Sequence, residues 1–105
     1  VKMYYPKNGY MGWHNNNNAY GYNILFSYSK DGNGFFRYKE PKHLKTITML
    51  DSAGWTAKVG YYGNNDEPDK LFWHCARAYE DRLTLGFVIP DKNFWEMMIE
   101  DIESI

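Results

Sequence analysis

Between residues 2 and 89, glycine, asparagine, aspartate and proline cut the chain into apolar and aromatic runs too short to be helices. Runs of this kind read as strands, and the breakers between them as turns. Extended segments are expected at 2–5 (stopped by Pro6), 22–29, 35–38, 46–50, 55–62, 71–78 and 83–89 (stopped by Pro90). Lys30-Asp31-Gly32-Asn33-Gly34 reads as a tight hairpin turn that returns the chain antiparallel, since Gly and Asn tolerate positive φ. Segments 71–78 and 83–89 read as the last strand pair, and 64–69 as a loop. The period changes only in the tail. With Asp91 as N-cap, Trp95, Met98, Ile99 and Ile102 fall on one helical stripe while Glu96, Glu100 and Glu103 face water, which predicts a helix over about 91–103. Seven or eight short antiparallel strands and one closing helix make an all-β fold, a sandwich or barrel of the jelly-roll kind.

At 105 residues the chain is a single domain, 1–105, with room for one modest core. Its 19% aromatic content suits strands and buries much area per residue. Twelve basic residues balance thirteen acidic ones, so the total shows no footprint for nucleic acid or an anionic membrane. No apolar run approaches the ~20 residues of a membrane span. The single cysteine, Cys75, excludes an internal disulfide and fits a cytoplasmic setting. A chain that opens on Val1 reads as a fragment of a longer one.

Two separated histidines carry the strongest chemical signal. His14 lies in Gly12-Trp13-His14-Asn15-Asn16, and His74 in Phe72-Trp73-His74-Cys75-Ala76, followed by Arg82-Leu83-Thr84. In extended chain, His14 and Asn16 project together, His74 and Cys75 project oppositely, and Arg82 and Thr84 share a face. Cys75 therefore cannot join His74 on one metal. Two imidazoles and an oxygen donor on one side of a ferrous ion leave positions open for oxygen and a chelating substrate. A buried Arg can fork onto a carboxylate, and a Thr hydroxyl can add a third hydrogen bond.

Gly12-Trp13-His14-x-Asn16, Gly34-Phe35-Phe36-Arg37-Tyr38, Ala53-Gly54-Trp55-Thr56, Trp73-His74-Cys75 and Asp81-Arg82-Leu83-Thr84-Leu85-Gly86-Phe87 together resemble the double-stranded β-helix (jelly-roll, cupin-like) core of the 2-oxoglutarate/Fe(II)-dependent oxygenases. The likeness is greatest to the small forms among tailed-phage proteins and spans roughly residues 10 to 90. It implies that His14, Asn16 and His74 are ligands of Fe(II), and that Arg82 and Thr84 hold the distal carboxylate of 2-oxoglutarate. It also implies a dioxygenase that hydroxylates a small-molecule or protein substrate, in the host cytoplasm if phage-encoded. The family places Asp or Glu where this chain has Asn16. An amide is a neutral, weaker donor, and three readings stay open. The centre works weakly with Asn, or the position is left to water or an anion as in the family's halogenating branch, or the domain keeps the fold without catalysis.

Each residue also has a plainer reading. His14 is a loop histidine, His74 a satisfied core histidine, Arg82 a strand-end ion pair with Asp81 or Glu80, and Cys75 a small buried hydrophobe. His43 is a solvated loop residue. Arg37 is either a second candidate for the carboxylate anchor or a snorkelling surface residue. The competing function is a non-enzymatic β-sandwich binding module, a phage accessory or structural protein of the same fold.

Overall fold

The structure, a computed structural model, describes residues 2–16 and 19–105. Val1, and Asn17 and Asn18 of the asparagine run read as a polar loop, lie outside the described residues. The described residues form eight strands: β1 (Lys2–Tyr5), β2 (Tyr10–His14), β3 (Gly21–Ser29), β4 (Phe35–Lys39), β5 (Thr46–Leu50), β6 (Gly54–Tyr62), β7 (His74–Arg77) and β8 (Arg82–Ile89). The helix α1 (Lys92–Glu103) closes the chain. Sheet one has the order β1-β8-β3-β6 and sheet two the order β2-β7-β4-β5, and every pairing is antiparallel. The all-β class with one C-terminal helix is therefore as the sequence led one to expect. No helix among the described residues is long and apolar enough to cross a membrane.

The connectivity corrects two expectations. Residues 30–34 do not close a hairpin, because β3 pairs with β6 and β8 while β4 pairs with β5 and β7 in the other sheet. They form a corner. The Ser29 hydroxyl accepts a hydrogen bond from Gly32 N at 3.0 Å, and Gly32 takes φ 75. A Cβ on Gly32 would stand 2.8 Å from Ala53 N, and one on Gly34 would overlap the Arg77 carbonyl oxygen. The glycines thus serve close packing against 51–53 and 77 as much as the turn itself. Likewise 71–78 and 83–89 are not neighbours. The paired strand shrinks to His74–Arg77 after a 3-10 turn at Pro68–Lys70, and β7 and β8 lie in different sheets. Among the described residues only β4 and β5 make a hairpin between consecutive strands.

The helical stripe is as expected. Trp95, Met98, Ile99 and Ile102 are half-buried while Glu96, Glu100 and Glu103 are exposed, and the Asp91 side chain accepts from Phe94 N at 3.0 Å. α1 packs on β3 and β8. Trp95 donates its Nε1 hydrogen to the Asn23 carbonyl at 3.0 Å, and its ring lies 5.2 Å from that of Tyr22. Ile24, on the same strand face as Tyr22, is fully buried.

The opposite face of sheet one, turned toward sheet two, is polar for a core. Asn23, Ser27, Ser29, Arg82 and Thr84 are all buried there. Burying such groups is tolerable only when they are paired. Arg82, the first residue of β8, forks onto Asp51 with Nε–Oδ2 at 2.8 Å and Nη2–Oδ1 at 3.2 Å. Each side chain is only 1% exposed. Asp51 follows β5 of sheet two, so the ion pair ties the two sheets together. The Asp51 amide donates to the Gly34 carbonyl at 2.8 Å, which fixes the carboxylate against the corner.

Removing one member of such a pair strands a buried charge. Asp51→Ala is expected to cost about 3–5 kcal/mol in urea unfolding. The double replacement Asp51→Leu/Arg82→Met should cost far less than the sum of the single changes. Additive losses would mean that the two groups are not coupled.

Candidate functional site

A cavity of about 570 Å³ opens between the sheets, lined among others by Met11, His14, Asn16, Phe36, Tyr62, His74, Arg82 and Thr84. The structure thus gathers all five residues singled out from the sequence around one space. They reach it from both sheets, His14 and His74 from sheet two and Arg82 and Thr84 from sheet one.

The local reason that His14 points inward is an irregularity. In the β2–β7 ladder Met11 faces Ala76 and His14 faces His74, so three steps on β2 match two on β7. The extra residue is a β-bulge, and it reverses the phase of the strand. Met11 and His14 both line the cavity, and Trp13, which simple alternation from Met11 would turn inward, is 45% exposed. Asn16 lies two residues beyond the end of β2 and also lines the cavity.

The two imidazoles stand opposite each other across the ladder, ring centroids 4.2 Å apart and planes tilted by 58°. Each Nδ1 is bonded to the carbonyl two residues earlier in its own chain: His14 to Gly12 O at 2.7 Å and His74 to Phe72 O at 2.9 Å. A carbonyl only accepts, so Nδ1 carries the hydrogen in both rings. A lone pair, where the ring carries one, is then on Nε2, the arrangement in which a histidine can coordinate a metal. His74 is enclosed by Phe36, Tyr62 and Phe72 at 5.5, 5.2 and 5.3 Å between centroids. That burial holds its pKa down at about 4, against the pull of the Phe72 carbonyl and helped by His14. At neutral pH no proton competes for its Nε2.

The rest of the donor set is thin. Among the described residues no three His, Cys, Asp or Glu side chains gather at one point. Two imidazoles and the Asn16 amide are donor types that a divalent cation accepts, but none of them is a carboxylate that would compensate its charge. His43 lies on the exposed β4–β5 loop, its amide donating to Glu40 Oε2 at 3.2 Å. Cys75 is buried, and burial pushes its thiol pKa up despite the Arg37 guanidinium.

Arg82 is where the sequence reading changes most. Its ion-pair partner is Asp51, not Asp81 or Glu80. Two of its nitrogens are spent, Nε and Nη2 on Asp51, with Nη2 also 3.4 Å from Ser27 Oγ. Thr84 Oγ1 donates to the Met3 carbonyl at 3.4 Å. Arg37, the second candidate anchor, is on the outer face of sheet two, donating from Nε to Thr48 Oγ1 at 2.9 Å, while Phe36 beside it is buried and lines the cavity. The sequence reading missed Asp51 and Lys58. Asp51 sits between an apolar strand and Ser-Ala-Gly, where an acid reads as a turn residue, and nothing local links it to a residue 31 positions on. The Lys58 ammonium stands 5.8 Å from the Phe36 ring, and burial, then Arg82, lowers its pKa, with Asp51 opposing.

A depressed histidine pKa makes the metal-free fold less stable in acid. The unfolded chain takes up the proton near the ordinary value of 6.5, while folded His74 resists to about 4, so stability should fall as pH drops through that interval. The full effect is up to about 3 kcal/mol, and thermal melts of wild type and His74→Leu across the interval should show the variant losing that part of the slope. In comparisons with known proteins, no family model, no curated protein and no solved structure matches the chain.

Proposed function

We propose that the chain is a jelly-roll, or double-stranded β-helix, protein of the 2-oxoglutarate/Fe(II)-dependent oxygenase kind. In this reading His14, His74 and Asn16 hold Fe(II), and Arg82 and Thr84 receive the cosubstrate. The observation that carries it is the histidine pair, two imidazoles each tied to a backbone carbonyl through Nδ1 so that Nε2 is the atom for a ligand, joined by Asn16 at the wall of one inter-sheet cavity. The order β1-β8-β3-β6 and β2-β7-β4-β5, with the chain passing from sheet to sheet at almost every connection, supports the jelly-roll assignment.

When bound, iron with 2-oxoglutarate would supply oxygen activation for hydroxylation of a substrate. The chain's own part is narrower. The Gly12 and Phe72 carbonyls orient the two rings, and Phe36, Phe72 and Tyr62 keep water from His74. With Nε and Nη2 engaged, Arg82 has Nη1 to offer an incoming carboxylate, and its charge is already met by Asp51. Weak binding of 2-oxoglutarate follows. The same ion pair and Asn16 favour a second reading, a module that keeps the fold and binds without turnover.

Anaerobic titration with Fe(II) and 2-oxoglutarate, followed by the visible charge-transfer band of the chelate, separates the two. Wild type should bind weakly, Asn16→Asp at least about tenfold more tightly, and His74→Ala not at all. Thr84→Val should weaken 2-oxoglutarate while sparing the metal. If Asn16→Asp gains no affinity for iron, Asn16 is not at the ligand position and the oxygenase reading falls.

A further inference from the structure

The outer face of sheet two carries a second set of residues that the cavity does not use. Because Phe36, His74 and Ala76 turn inward, Phe35, Arg37, Lys39 and Arg77 turn outward. Each outward cation lies on an aromatic ring. Arg37 is 4.3 Å from the Phe35 centroid, Lys39 is 5.4 Å from Trp13, and Arg77 is 5.1 Å from Tyr79 and 6.0 Å from Tyr10. Among the described residues none of the three has a carboxylate within 4.0 Å. Arg37 and Lys39 bond only the neutral hydroxyls of Thr48 and Thr46, both at 2.9 Å, and the buried Nε of Arg77 has no hydrogen-bond partner.

The acids lie off the strands: no Asp or Glu occurs on any strand of either sheet, so the cations of this face have no carboxylate beside them on their own strands. Glu96, Glu100, Asp101 and Glu103 ride on α1, which packs on sheet one. Glu40, beside Lys39, is turned into its own loop, accepting the Lys42 and His43 amides at 2.7 and 3.2 Å. Lys42 and Lys45 on that loop are exposed.

The same face holds a slot of about 310 Å³ lined by Trp13, Trp73, Leu44 and Lys39. Lys39 N donates to the Trp73 carbonyl at 2.9 Å, which holds the two backbones together at the slot. Arg37 and Lys39 stand two residues apart on β4, about 6.6 Å, and Arg77 lies opposite Phe35 on the neighbouring β7, one such step further along. That repeat is of the order of the separation between successive phosphates along a nucleic-acid strand, and the slot is what favours a strand with an unpaired base. We propose that this face binds single-stranded nucleic acid, with a base stacked in the Trp13–Trp73 slot and phosphates on Lys39, Arg37 and Arg77. A sugar ring would fill the slot but leave the row of cations unused. A duplex would meet the cations but has no free base for the slot.

The test is fluorescence anisotropy of labelled oligo(dT) and oligo(U) at low salt, with a hairpin duplex as competitor. Both single strands should bind, and the tighter of the two identifies the natural source. The hairpin should compete poorly. Three phosphate contacts predict a slope of about −2 in log K against log salt, from ~0.7 per contact on single strands. Lys39→Gln, a surface change, should flatten that slope by about one contact, and Arg37→Gln/Arg77→Gln should weaken binding by about tenfold or more. Trp73→Ala should lose the tryptophan quenching that accompanies binding. Lys39→Gln should leave the Fe(II) titration unchanged, which separates this surface from the iron reading. Absence of binding by either strand, equal competition by the hairpin, or wild-type affinity and slope in Lys39→Gln would overturn the proposal.

Discussion

The fork of Arg82 on Asp51 is the contact on which the molecule turns. Arg82 begins β8 and Asp51 follows β5, so one buried ion pair joins the sheets at the end of the interior where the polar side chains collect. An arginine buried among Ser27, Ser29 and Thr84 would be ruinous without a counter-charge. The corner at Gly32 and Gly34 exists in its tight form because the Asp51 segment lies against it. A structural requirement therefore acts on a residue that also borders the cavity, and it tempers the charge any ligand there would meet.

Packing and chemistry are also shared at His74. Its enclosing rings belong to the core, and they keep the imidazole neutral and its Nδ1 tied back to the chain. A satisfied core histidine and a ready ligand are here the same physical state. The difference lies with Asn16, whose amide brings no charge to the site.

Much of the strand pattern was legible because period-two apolar runs and Gly or Pro breakers are local signals; 46–50 and the stripe of α1 are instances. Sheet membership was not. A turn rich in Gly and Asn reads the same whether it closes a hairpin or turns a corner, so 30–34 suggested a pairing that does not form. The gathering of His14, Asn16, His74, Arg82 and Thr84 around one cavity follows the residue pattern, yet His74 and Arg82 meet from opposite sheets and not as neighbours in one. Asp51 was invisible because its role depends on a partner far along the chain. The outer face was not legible because whole-chain charge says nothing of where the cations stand relative to the aromatic rings.

The bulge in β2 has a consequence for how this chain can vary. One extra residue between Met11 and His14 sends the histidine inward and Trp13 outward in a single step. The inner and outer surfaces of that strand are thus phase-locked. Substitution can tune either one alone, but gain or loss of a single residue at Gly12 would exchange imidazole for indole on both at once.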